Sequence, residues 1–199
     1  MRFLDNRTDL PFLSLDTYSH AEFISRQGEI ADLHHRRCAK HIITENARVL
    51  QAVKLLQLNT QIATGSTGTG TGTDTGTDTG TGTGTDASPL TVAPSSAPSM
   101  CAQFGTILSA SHSSSRDDFG NSCPELDVLI RTASGILGFA GGRLQGGGFG
   151  GSTLHLVDTR VTDVASFQQA LLAEYKAATG VETSAFAVFP GEGASCGAV

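Results

Sequence analysis

The six positions Gly146-Gly147-Gly148-Phe149-Gly150-Gly151 hold five glycines and carry the plainest chemical suggestion in this 199-residue chain. They satisfy the pattern Gly-x-Gly-x-x-Gly. A dinucleotide site of that pattern needs a helix directly behind the glycines, because the pyrophosphate sits on the helix N-terminus. Here an alternating strand pattern follows instead, Thr153-Leu154-His155-Leu156-Val157. Position 168, where an acidic ribose partner would fall, is Gln. A Walker A loop is excluded because no Gly-Lys-Ser/Thr follows. Each interior strand glycine costs about 0.5–1 kcal/mol relative to Ala, so the run needs a reason. Two stay open. It is either a bulged hairpin turn in conformations that glycine alone adopts readily, or a place where backbone N–H groups approach a ligand as an anion-binding nest. Arg143, just ahead of the run, could contact an anion or join a surface ion pair.

Other chemically suggestive residues read as structural. Ser111 and His112 are adjacent, and adjacency does not aim a base at a nucleophile. His34, His35 and His41 fall on one predicted helix, with no carboxylate to complete a zinc set. The acidic pairs Asp117-Asp118 and Glu125/Asp127 lie near helix starts, where capping and the helix dipole account for them. Arg36, Arg37, Lys40 and Arg48 form a basic cluster that reads as a solvated helix face. The four cysteines (Cys38, Cys101, Cys123, Cys196) form no Cys-x-x-Cys pair and read as free thiols. No metal site is expected.

The elements that must position the glycine run are legible in part. A helical stripe over 30–58 joins Ala39, Ile42, Ile43, Val49, Leu50, Val53 and Leu56. Met100, Phe104, Ile107 and Leu108 predict a short helix ending near Ser111-His112. Ser122-Cys123-Pro124-Glu125 reads as a capping box with Ser122 as N-cap. It opens a helix whose buried face is Leu126, Leu129, Ile130 and Ala133, with Gly135 as a left-handed stop. A partly extended stretch over 136–145 leads into the glycines, and a hairpin returns through 153–157. A further helix over 164–179 is capped by Asp163, striped by Phe167, Leu171 and Tyr175, and stopped by Gly180. A last strand is predicted over 184–189, ended by Pro190-Gly191. The fold class is therefore α+β, with helices packed on a mainly antiparallel sheet.

Between these halves lies a tract without apolar side chains. Residues 64–86 are 23 positions of Thr, Gly, Asp and one Ser, followed by a Ser/Ala/Pro-rich segment. Nothing there offsets the entropy of ordering it, so 60–99 is expected to be a disordered linker. The predicted organisation is an unassigned N-terminal segment 1–29, a helical part 30–59, the linker 60–99, the remainder of the domain 100–190 and a tail 191–199. Net charge is −6 and the pI about 5.4, which lacks the basic footprint of nucleic-acid binding. No apolar run approaches the roughly 20 residues of a membrane helix. The charged start lacks the apolar region of a signal peptide, which points to a cytoplasmic protein.

Several ordered motifs resemble the galactokinases, a branch of the GHMP kinases. Ser111-His112-Ser113-Ser114-Ser115-Arg116-Asp117-Asp118-Phe119 with Ser122-Cys123-Pro124-Glu125-Leu126-Asp127 is similar to their Ser-His-x-Ser-Leu-Arg-Asp-Asp-Tyr…Ser-Cys-Pro-Glu-Leu-Asp segment. Gly142-Arg143-Leu144-Gln145 and the glycine run resemble their third motif, Ser-Arg-Met-Thr-Gly-Gly-Gly-Phe-Gly-Gly. Residues 36–49 resemble their Arg-Ala-Arg-His-Val-x-x-Glu-Asn-x-Arg-Val helix, and the Tyr175…Thr179-Gly180…Phe186 spacing agrees. The resemblance covers about residues 30–190 apart from the linker. It implies the ferredoxin-like C-terminal domain of a GHMP kinase. It further implies an activity that transfers the γ-phosphoryl of ATP to the C1 hydroxyl of galactose with Mg2+. Gly146, Gly147, Gly148, Phe149, Gly150, Gly151 and Arg143 then inherit a substrate- and phosphate-binding role. The family's sugar signature, its phosphate loop and its catalytic aspartate and arginine have no counterpart here, and Gln145 stands where Thr is usual. Phosphoryl transfer rests on positioning and charge stabilisation. The chain is thus expected to hold no catalytic residue, to bind neither ATP nor Mg2+ alone, and to be inactive by itself. The rival readings are a non-catalytic regulatory module that binds sugar and nucleotide, and an inert fragment.

Overall fold

The computed structural model describes residues 18–63 and 98–191, with side chains of 61–63 not described. The predicted linker falls mainly on 64–97, outside the described residues, as do 1–17 and 192–199. At the edges of the predicted span, residues 60–63 are helical and Ser99 caps a helix.

Helix α1 (His20–Arg26) belongs to the stretch to which the sequence reading gave no structure. Its start is a full capping box: Ser19 Oγ accepts from the Glu22 amide at 3.2 Å, and the Glu22 carboxylate accepts from the Ser19 amide at 2.8 Å. Helix α2 (Leu33–Ala63) follows, with Asp32 Oδ1 accepting from the His35 amide. Phe23 of α1 packs with Ala39 and Ile43 of α2, flanked by Tyr18 and Ile30. The predicted stripe of α2 is buried only in its first half. Val49, Leu50, Val53 and Leu56 are 45–70% exposed, because no described element covers them.

Helix α3 (Met100–Ser114) is capped by Ser99 and outlasts its predicted end. It runs into a π-helical turn, Ser115–Phe119, which Gly120 stops with φ 75°. Helix α4 (Pro124–Ser134) corrects two expectations. Its N-cap is Cys123, which makes no side-chain capping bond, because the Ser122 hydroxyl is drawn to Asp127 Oδ1 at 2.6 Å. Pro124 does occupy the start of the helix, where its missing N–H costs little. Gly135 ends the helix in a right-handed conformation (φ −86°), and the left-handed residue is Gly138 (φ 90°). Leu126 and Ala133 are buried, while Leu129 and Ile130 are half-buried.

Strands β1 (Phe139–Gln145) and β2 (Ser152–Val157) form one antiparallel hairpin with an irregularity between Phe139 and Gly141. The hairpin lies across α3 and α4. Its packing on α3 depends on Gly105, where an added Cβ would lie 1.9 Å from the Ala140 carbonyl oxygen. Helix α5 (Val164–Thr179) has the predicted cap Asp163, buried stripe Phe167, Leu171, Tyr175 and left-handed stop Gly180. Ala133, Phe167 and Leu171 make the second core, with Phe139 and Val157 packed against it. The core-facing positions of β2 thus include Val157, one position out of step with the two leucines. The predicted last strand over 184–189 is not formed. Residues 181–191 carry no regular structure, because no described strand lies beside them to take up their backbone groups.

Candidate functional site

The glycine run is the tip of the hairpin, beginning directly after the terminal pair Gln145↔Ser152. Gly146, Gly148, Gly150 and Gly151 have φ of 73°, 83°, 128° and 92°, a region that side chains rarely enter. Phe149 shares it at φ 59° and is 77% exposed. An exposed aromatic in a left-handed conformation is strained backbone of the kind that clusters at ligand contacts. An added Cβ on Gly146, Gly147, Gly150 or Gly151 would meet nothing within 4 Å. Space therefore lies open over four of the six residues.

One residue holds this tip in place. The Phe149 amide donates to the Asn121 carbonyl at 2.6 Å, and Asn121 Nδ2 donates to the Gly147 carbonyl at 3.0 Å. Gly148 is so close that a Cβ would lie 2.0 Å from Asn121 O. Asn121 is 7% exposed and its Oδ1 has no hydrogen-bond partner. Sequence reasoning missed Asn121, and spacing offers no signal for it, since its partners lie 26 or more positions ahead.

Arg143 leaves the tip rather than joining it. Its guanidinium lies 3.5 Å from Glu45 Oε2 of α2, and its Nε donates to the Leu144 carbonyl. Glu45 also accepts from Ser111 Oγ at 2.6 Å and pairs with Arg48. Burial pushes the Glu45 carboxyl up, but Ser111, Arg48 and Arg143 together hold it below the usual range. This half-buried cluster ties α2, α3 and β1 into one wall behind the loop.

The Ser111-His112 pair is split by the fold. Ser111 faces Glu45. His112, 2% exposed, turns the other way: Nδ1 accepts from the Leu144 amide at 3.4 Å, and Nε2 lies 3.3 Å from Asp127 Oδ1 without hydrogen-bond alignment. Burial holds the His112 imidazole below its ordinary value, with Asp127 opposing. The pair is a brace between helix and strand. His34 and His41 also part company. His34 meets Cys38, whereas His41 bonds Ser114 and stacks on Phe119 with ring centroids 4.7 Å apart. Of the basic cluster, Arg36 bonds the Ile30 carbonyl and Lys40 pairs with Asp118.

Residues 143–151 contain no carboxylate. Among the described residues no group of three or more His, Cys, Asp or Glu is placed to hold a metal. The residues present fit backbone contact with phosphate or hydroxyl groups and do not fit a magnesium ion. No described helix is long and apolar enough to cross a membrane.

No protein-family model matches the chain. Among solved structures, it is similar to the galactokinase of Lactococcus lactis in complex with galactose, with a TM-score of 0.59 and 26% identity. The match covers 87% of this chain and 34% of that enzyme. The chain thus has a galactokinase-like fold, α+β with an antiparallel hairpin, and spans about a third of that relative's length.

Proposed function

We propose that this chain forms one wall of a galactokinase-like sugar-kinase cleft, with the tip 146–151 facing the sugar and the transferred phosphoryl group. The observation that carries the reading is the likeness to the Lactococcus enzyme over 87% of the chain. The strained, open tip supports it, since glycine backbone with no side chain over it lets an anionic or hydroxyl-rich ligand approach closely. In the reaction the γ-phosphoryl of ATP passes to the C1 hydroxyl of galactose, ADP leaves, and the hydroxyl proton goes to a base. This chain's part is to shape the pocket and exclude water at the tip. Arg143 acts behind it, through Glu45, as a positioning residue. The base, the metal ligands and the phosphate loop are supplied from outside these residues, so the chain alone turns nothing over.

The test is a fusion that places the unmatched part of the Lactococcus enzyme ahead of this chain. Galactose-dependent ADP release should appear in the fusion and be lost with Gly150→Val, which fills the open space at the tip. Full activity in the Gly150→Val fusion would contradict the assignment of the tip.

A further inference from the structure

The hairpin has two edges, and they are treated differently. Along β1 the outward amides are occupied: Gly142 donates to Ser109 Oγ and Leu144 to His112 Nδ1, both at 3.4 Å from α3. Gly142 stands opposite His155 and Leu144 opposite Thr153. In an antiparallel pair, residues facing each other share their orientation. Thr153 and His155 therefore send their backbone N–H and C=O groups out of the far edge of β2. No strand lies beyond that edge among the described residues.

Such edges are ordinarily guarded by charge, proline or a bulge. The segment Ser152-Thr153-Leu154-His155-Leu156-Val157 contains no Lys, Arg, Asp, Glu or Pro, and the sheet's irregularity falls on β1, opposite Leu156 and Val157, past Thr153 and His155. The same chain carries a strand-patterned segment that pairs with no described strand. Ser184-Ala185-Phe186-Ala187-Val188-Phe189 is uncharged, lacks Gly and Pro, and is rich in strand formers. Phe186, Val188 and Phe189 are 80%, 60% and 86% exposed. Its root is fixed beside α5, where Lys176 pairs with Glu182 and the Val181 amide donates to Thr179 Oγ1.

We propose that residues 184–189 of one chain add as a third strand to the outer edge of β2 in a second copy, reciprocally. A strand without an edge and an edge without a strand, on one polypeptide, are complementary across a twofold axis, and the exchange closes after two chains. The interface is independent of the sugar-kinase reading.

Sedimentation velocity on the full chain over a range of micromolar concentrations tests this. A dimer at twice 20.6 kDa is expected. Val188→Pro removes a strand N–H at an exposed position outside both cores, so helical circular dichroism should not change, and the melt should match the parent's at concentrations where both are monomers. Its dimer should dissociate roughly tenfold or more readily. Hydrogen exchange at the Thr153 and His155 amides should be slowed in the dimer and fast in the variant. A monomer at every concentration would overturn the proposal. So would a dimer indifferent to Val188→Pro, an open-ended series of larger masses, or slowed Thr153 and His155 amides in a monomer.

Discussion

The two ends of the β1–β2 hairpin are both built on glycine, for opposite reasons. At the base, Gly105 and Gly141 exist because there is no room: a Cβ on Gly141 would lie 2.0 Å from the Gly105 carbonyl oxygen. At the tip, Gly146, Gly150 and Gly151 exist because of their positive φ, with nothing within 4 Å of where a Cβ would go. Crowded glycines serve packing. Glycines in strained backbone beside open space leave room for something that is not protein. Gly148, strained and pressed on Asn121, belongs to both groups and anchors the tip to the body.

The largest expected effect falls at the base. Gly105→Ala or Gly141→Ala forces helix and strand apart, backbone against backbone, and should cost about 3 kcal/mol in chemical denaturation. A cost near zero would remove the crowding half of the comparison.

Next comes pH. Burial, assisted by His112, holds the His155 imidazole down to about 4 from 6.5. The unfolded chain therefore takes up a proton that the folded chain refuses. The stability tied to neutral His155 is complete above pH 6.5 and is lost as pH falls toward 4, by at most about 3 kcal/mol. His155→Gln should flatten that part of the profile relative to the parent, a comparison that cancels the similar contribution of His41. A parallel profile in the variant would contradict the assignment.

At the tip the effects on stability shrink. Gly148→Ala meets both the positive φ and Asn121 O, and should cost about 2 kcal/mol. Gly150→Ala meets only the φ penalty and should cost about 1 kcal/mol. Equal costs at Gly148 and Gly150, measured by thermal melts, would break the distinction between anchor and open tip.

What the sequence discloses follows the same division between local and distant causes. Helix α5 is fully legible because Asp163, the Phe167-Leu171-Tyr175 stripe and Gly180 act within a few residues. The Ser19–Glu22 capping box of α1 was equally local and could have been found from its spacing. Helix α4 misleads because Ser122 bonds Asp127, which also lies beside His112, instead of capping. Periodicity identifies the apolar face of α2 but not what covers it, so Val49, Leu50 and Val53 read as core and are exposed. Residues 184–189 show a strand's pattern, but pairing depends on a neighbour that pattern cannot supply. At the site, the glycine run announces itself, whereas its anchor Asn121 does not, because the bond to Gly147 spans 26 positions.

The most direct measurement is ADP release with galactose and magnesium–ATP, run on the purified 199-residue chain and on the fusion carrying the unmatched part of the Lactococcus enzyme. The chain alone should match the enzyme-free baseline, and the fusion should release ADP only when galactose is present. Sustained turnover by the chain alone, or a fusion that folds and stays silent, would contradict the assignment of the hairpin tip to one wall of a shared cleft.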